Sequence, residues 1–336
     1  MPRCYLIAEI SANHNGQLDT ALEIVRLAAE SGADAVKIQT YTADTMTLDC
    51  DAEPFIVQGG TLWDGQKLYD LYAQAHTPWD WHQAIFDEAA AHGLECFSSP
   101  FDATAVDFLE QFNPPYHKVA SFELTDHPLL QKIASTGRKV IMSTGMSTLE
   151  EIEESVQVLK DGGCPEITLL KCTSSYPAPA EEANLARIAD MAERFGVRTG
   201  LSDHTMGATV PIAAVALGAQ VIEKHFCRSR SEPGPDSAFS MEPHEFKAMA
   251  EAIRITEKAI GSADYSLTKA EEKSLRFRRS LFASRDIAAG EKFTPENVRV
   301  IRPGDGLAPK HLPSVLGKTA SCDITFGTPL SNDHLG

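Results

Sequence analysis

Basic residues are scarce in this chain. Thirty lysines and arginines stand against 47 aspartates and glutamates, a formal net charge of -17 over 336 residues. That excess of negative charge argues against nucleic acid or an anionic membrane as the main partner. A small anion is not excluded, because it feels only the local site. Long hydrophobic runs are missing, so no membrane-spanning helix is expected. The apolar stretch at the start, Tyr5-Leu6-Ile7-Ala8, is too short for a signal peptide, and a cytoplasmic location is expected. The seven cysteines are odd in number and scattered, with no CxxC pair. This usage points to reduced thiols and away from a zinc–cysteine site. No GxGxxG follows the first apolar run, so a dinucleotide-binding fold has little support.

What is present is an alternation of β-rich and helical segments. Strands are expected at about 4–10, 35–39, 94–98, 117–121, 139–144, 167–173, 198–203 and 221–226. Helices are expected at about 18–31, 79–92, 102–112, 127–136, 148–162, 182–195, 207–217 and 243–261. Ser147, ahead of Thr148 and the carboxylates Glu150 and Glu151, reads as a helix-capping hydroxyl. Eight β–α units in a row predict an α/β fold, a (β/α)8 TIM barrel, in preference to an open sheet. Residues 41–78 interrupt the alternation, and long insertions in barrels are often functional loops over the mouth. After about residue 262 the texture changes to short β-like pieces with turn signals. The expected domains are a barrel over 1–265, a charged linker over 266–280 and a small, mostly β domain over 281–336.

In a (β/α)8 barrel the site lies at the C-terminal ends of the strands. Those ends carry Glu9, Lys37, Gln39, Ser98, Ser99, Lys118, Ser121, Glu123 and Ser143, then Lys171, Ser174, Tyr176, Ser202, Asp203, His204, Glu223, Lys224 and His225. Side chains alternate along a strand, so these cannot all face one pocket; Lys37 shares a face with Gln39, and Glu223 with His225. Lysines among hydroxyls suit a phosphate or carboxylate. His204 and His225 end consecutive strands and could share one divalent metal. A single strand-end histidine is more often a structural hydrogen-bonding group, but two in succession bring the metal reading level with that. Lys118 or Lys171 could equally be a salt-bridge partner at the rim. Cys172 reads as a small packed residue, and Trp79 and Trp81 as packing at a helix start.

Several segments appear together in order: Ala8-Glu9-Ile10 with Asn13-His14-Asn15-Gly16, Lys37-Ile38-Gln39-Thr40, Lys118-Val119-Ala120-Ser121, Ser143-Thr144-Gly145-Met146, Cys172-Thr173-Ser174-Ser175-Tyr176-Pro177, Leu201-Ser202-Asp203-His204-Thr205, Glu223-Lys224-His225-Phe226 and Gly234-Pro235-Asp236. The set resembles the sialic acid synthase family, which condenses phosphoenolpyruvate with an amino sugar. Arg302-Pro303-Gly304-Asp305-Gly306 and Leu316-Gly317-Lys318 look like the antifreeze-like (SAF) C-terminal domain of that family. Leu62-Trp63-Asp64-Gly65 and Thr77-Pro78-Trp79-Asp80-Trp81 resemble its pseudaminic acid branch. Ser174 stands where neuraminate-forming members tend to carry asparagine.

The resemblance implies phosphoenolpyruvate and a 2,4-diacetamido-2,4,6-trideoxy sugar of L-altrose type as substrates. It also implies Mn2+ or Mg2+ held by His204 and His225, with Glu9 managing a proton. Lys37, Lys118, Ser121, Ser143, Ser174 and Ser202 would hold phosphate and carboxylate, with Ser99 also in the substrate-binding set. Gln39, Glu123, Tyr176 and Asp236 would face the sugar. Arg302 would reach the neighbouring subunit's site in a domain-swapped homodimer. Neuraminate or legionaminate synthesis within the family is the nearest alternative. A Schiff-base aldolase using strand-end lysines is one of another class. A non-catalytic carbohydrate-binding role would account for the small tail domain alone.

Overall fold

The computed structural model describes residues 2–60, 62–232 and 234–336. The chain divides into two compact units, Met1–Gly261 and Ser262–Gly336. In the first, eight parallel strands close into a barrel in chain order. They are β1 Tyr5–Glu9, β2 Ala35–Thr40, β3 Glu95–Pro100, β4 Tyr116–Val119, β5 Lys139–Ser143, β6 Ile167–Cys172, β7 Arg198–Asp203 and β8 Val221–His225. Closure comes from β8 lying beside β1, with Glu9 in register with His225. Gly200 permits close contact between β7 and β8, because a Cβ there would overlap the Val221 carbonyl.

The interior is layered by the two-residue period of the strands. Ile7, Ala35, Phe97, Tyr116, Ile141, Leu170 and Val221 form one apolar cluster. Two residues further along each of those strands stand Glu9, Lys37, Ser99, Lys118, Ser143, Cys172 and Glu223. An apolar plug therefore lies under a polar and charged layer, and the second layer is the floor of the site. The other strand face packs on the helices. Leu6, Ala8, Val36, Ile38, Leu201 and Ile222 join the helical residues Ile24, Val25, Ile85, Phe246 and Met249 in the larger outer core.

The helices follow the expected order, with shorter α-helical cores. The 102–112 stretch is an α-helix over Ala103–Leu109 that tightens into a 3-10 turn over Glu110–Phe112. The 79–92 stretch opens with a 3-10 turn over Trp79–Trp81 before the helix His82–Ala91. Trp79 stacks on Phe108 with ring centroids 4.4 Å apart, and Trp81 meets His14 edge-on at 5.4 Å. The cap of the helix Leu149–Asp161 is Thr148, not Ser147. The Thr148 hydroxyl accepts from the Glu151 N–H, while the Ser147 hydroxyl donates to the Gly145 carbonyl. Only one hydroxyl can reach the first-turn N–H groups, and Thr148 is the residue directly before that turn.

The 41–78 insertion is ordered around two short helices, Ala43–Met46 and Leu68–Ala75. Its tip is closed by backbone hydrogen bonds between Val57 and Gln66 and between Gly65 and Val57. The second unit has a small core of Leu281, Ala283, Ile287, Phe293, Val298, Val315, Ala320, Ile324 and Leu330. Its regular β-structure is one antiparallel pair, β9 Ser280–Ala283 with β10 Val298–Ile301, supplemented by isolated bridges. The stretch expected as a linker falls inside this unit and carries the helix Lys269–Ser274, capped by Thr268. Among the described residues no helix is long and apolar enough to cross a membrane. All seven cysteines are free.

His82 ties the start of its helix to the end of β2. Its Nδ1 donates to the Pro78 carbonyl at 3.2 Å, and its Nε2 accepts from the Thr40 hydroxyl at 2.7 Å. Both roles require the neutral ring. Burial pushes its pKa down to about 4. The unfolded chain therefore binds a proton that the folded chain refuses. The resulting stability is complete above about pH 6.5 and is lost as pH falls through about 4. Urea unfolding should show the loss over that window, with His82 responsible for on the order of 3 kcal/mol. His82→Gln should flatten that part of the profile; an unchanged slope would refute the assignment.

Candidate active site at the barrel mouth

Four charged side chains lie buried in the upper interior layer. Lys37 forms an ion pair with Glu9 and lies 3.8 Å from Glu223. Its ammonium also donates to Ser99 Oγ at 3.3 Å. Lys118 donates to Ser143 Oγ at 2.7 Å and to the Val119 carbonyl at 2.8 Å. Burial raises Glu9 to about 7 despite the opposing charge of Lys37. Burial also opposes ionisation of Glu223, but Lys118 and Lys37 outweigh it and hold that carboxyl below its usual value. Lys118 is depressed by burial, whereas the carboxylates of Glu223 and Glu9 outweigh burial at Lys37 and raise it. Deleting one member would strand a buried charge, at a cost of about 3–5 kcal/mol.

Above this layer the pocket is lined by Lys37, Gln39, Lys118, Ser121, Ser143, Tyr176, Ser202, His204, Glu223 and His225, ten of the expected residues, together with Ala120, Phe122 and Cys172. Ser174 borders it through Gly145. A Cβ on Gly145 would overlap the Ser174 hydroxyl and stand 2.7 Å from that of Ser121. The Gly145 N–H donates to Ser121 Oγ at 3.0 Å. Two lysines and several hydroxyls thus converge as an oxyanion-binding set, with Ser121 held by the Gly145 N–H. Lys171 and Lys224 have the opposite parity and face away from the pocket. Lys171 donates to the Cys172 carbonyl and to Thr173 Oγ1. Lys224 pairs with Asp203 at 2.5 Å behind the two histidines.

His204 and His225 are neighbours, with ring centroids 5.3 Å apart. His204 Nδ1 donates to the Thr173 carbonyl at 2.8 Å, so the neutral form of this ring carries its lone pair on Nε2. His225 Nδ1 is buried without a partner. Burial above all, with the nearby charges of Lys37 and Lys224, holds His225 well below the usual imidazole pKa, so this ring is neutral. Two rings on one ion, each about 2.1 Å from it, have centroids roughly 5 Å apart, so the pair fits a divalent cation. Among the described residues no group of three or more histidine, cysteine, aspartate or glutamate side chains is gathered as a ligand set. The remaining positions would fall to water or substrate. Tyr176 lies over both rings, 4.3 Å from His204 and 6.2 Å from His225.

The expected sugar side is a second network. Asp236 accepts from the Ser11 hydroxyl and, at 3.3 Å, from the Ala12 N–H. Gln39 Nε2 donates to Ser11 Oγ at 3.0 Å. Glu123 lies just beyond β4, with one buried carboxylate oxygen lacking a partner and a pKa raised to about 7 by burial. From the insertion, Trp63 donates to the Pro235 carbonyl at 3.2 Å and packs on Tyr176 at 5.8 Å. Arg302 is exposed in the second unit.

Sequence reasoning missed Ser11, Gly145, Phe122 and the pocket position of Cys172. Cys172 could have been found from parity, since it lies two residues beyond the interior Leu170. Ser11 left no signal, because the partners of its hydroxyl lie elsewhere in the chain.

Comparison with known proteins agrees with this fold. Residues 24–265 match the NeuB family, and residues 278–336 match the SAF domain. The chain belongs to the NeuB family. This NeuB-family chain is 48% identical over 328 residues to the pseudaminic acid synthase of Campylobacter jejuni, covering 98% of this chain and 95% of that protein. It is 36% identical to the N,N'-diacetyllegionaminic acid synthase of Legionella pneumophila, covering 99% and 94%. Among solved structures, it resembles the N-acetylneuraminic acid synthetase of Leptospira borgpetersenii, with a TM-score of 0.73 and 28% identity. That match covers 82% of this chain and 92% of the other. NeuB-family members are synthases, and this chain is an enzyme of that kind.

Gly145 offers a direct test of the oxyanion set. In Gly145→Ala the new methyl group must displace the Ser174 and Ser121 hydroxyls. Calorimetric titration should show phosphoenolpyruvate binding weakened about tenfold, or ~1.4 kcal/mol. Wild-type affinity in this variant would remove the two serines from the site.

Proposed function

We propose that this enzyme condenses phosphoenolpyruvate with 2,4-diacetamido-2,4,6-trideoxy-beta-L-altropyranose, giving pseudaminic acid and phosphate. The observation that carries this reading is the joining of an oxyanion-binding set to a histidine pair inside one barrel mouth. The 48% identity to a pseudaminic acid synthase supports the choice of sugar. Seven free thiols suit action in the cytoplasm.

Lys37 and Lys118 supply charge to the phosphate and carboxylate of the enol phosphate, while Ser121, Ser143, Ser174 and Ser202 supply directed donors. Ser99 steadies Lys37. His204 and His225 would hold Mn2+ or Mg2+, which as a Lewis acid would favour attack on the sugar aldehyde. Two imidazoles suit Mn2+ better than Mg2+. C3 of phosphoenolpyruvate forms the new bond to the aldehyde carbon, and water adds at C2. Phosphate then leaves by C–O cleavage. Glu9, with its pKa raised to about 7, would take and return the proton of that water. Gln39, Glu123, Tyr176 and Asp236 orient the sugar.

We further propose a homodimer in which the tail domain of each subunit covers the partner's barrel mouth. Phe122, Met146 and Met206 lie on loops after β4, β5 and β7 and are each more than half exposed. Such an apolar rim suits a covering surface. In this arrangement Arg302 would touch the sugar's acyl group.

Phosphate release should be measured with phosphoenolpyruvate and a panel of amino sugars. The 6-deoxy diacetamido sugar of L-altro type should be preferred, and chelation should abolish turnover until Mn2+ is restored. Preference for N-acetylmannosamine or the legionaminate precursor would move the enzyme to another branch. Borohydride trapping of a lysine with substrate would favour Schiff-base chemistry. Arg302→Ala should raise the sugar KM about tenfold. An unchanged KM, or a monomer by sedimentation, would remove the proposed tail contact.

A further inference from the structure

Ser11 follows β1 in a left-handed backbone conformation, with φ of 47°. A side chain is disfavoured there, and glycine would adopt the same backbone freely. Ser11 is also buried, and both its N–H and its hydroxyl are engaged. Its N–H donates to Glu9 Oε1 at 3.0 Å. Its hydroxyl donates to Asp236 Oδ2, from which it is separated by 225 residues of chain. The same oxygen accepts from Gln39 Nε2 at 3.0 Å.

These roles are fixed in direction. Asp236 Oδ2 already accepts from the Ala12 N–H, so the Ser11 hydroxyl spends its single proton on that oxygen. Its lone pair then faces Gln39. Glu9 Oε1, also an acceptor, lies 3.4 Å from the same Gln39 nitrogen. The amide of Gln39 must therefore turn its NH2 group toward Ser11 and Glu9. Its oxygen is left for the pocket, which Gln39 lines. An acceptor in that position recognises a donor, such as a hydroxyl or an acetamido N–H.

We propose that Ser11 is a positioning residue for the sugar. It holds Asp236 in place and sets the Gln39 amide with its oxygen toward the amino-sugar substrate. Its hydroxyl is kept at a backbone position that glycine would occupy with less strain. This rests on the reading that an amino sugar occupies this side of the pocket.

The test compares Ser11→Gly and Ser11→Ala with wild type as metal-loaded full-length enzyme. Each is assayed with phosphoenolpyruvate and whichever panel sugar the wild type turns over, so an error in the sugar's identity shows in the wild type alone. Both variants should raise the sugar KM about tenfold and leave the phosphoenolpyruvate KM within about twofold. Melting should place Ser11→Gly at or above Ser11→Ala, since glycine relieves the strained conformation. An unchanged sugar KM in both variants would overturn the proposal, as would an equal rise in KM for both substrates.

Discussion

Four buried charges constrain this site more than any other feature. Glu9, Lys37, Lys118 and Glu223 lie in the barrel interior over an apolar plug, where no single one would be tolerated without the others. Two cations and two anions balance there. An enol phosphate bound above them would add negative charge, which the serine hydroxyls and a cation on the histidines would offset. The same balance explains why the carboxyls differ. Glu9 is raised by burial, and Glu223, close to both lysines, is held ionised.

The pleat of the strands is what delivers these groups. A residue two places beyond each apolar plug residue enters the polar layer, whichever strand carries it. Between β7 and β8 the opposite parity is also used. Asp203 and Lys224 are the chain neighbours of His204 and His225, and they pair with each other on the outer face of the wall. The Thr205 N–H and hydroxyl add to the same carboxylate, at 3.1 Å and 3.0 Å. The two imidazoles are thus backed by a buried ion pair joining their strands.

Much of this was legible in the chain, and the losses have identifiable causes. Alternating β and α periodicity placed all eight barrel strands, and the strand-end polar residues contained most of the pocket lining. Edges were less accurate: β4 stops at Val119 because Ser121 begins a 3-10 turn. The choice between Lys118 and Lys171 could not be made from spacing, since both are strand-end lysines beside hydroxyls. The structure separates them because Lys118 stands two residues past the interior Tyr116, while Lys171 follows the interior Leu170 directly.

Local periodicity and residue type are short-range properties, so the sequence alone carried the barrel class, the small tail domain and the ordered family motifs. Tertiary structure decided strand parity, the approach of His204 to His225, and the meeting of Ser11 with Asp236. The histidines meet because β7 pairs with β8, and Ser11 meets Asp236 because β8 closes against β1. Barrel closure joins segments more than 200 residues apart, and no local pattern records which side chains will then share an interior.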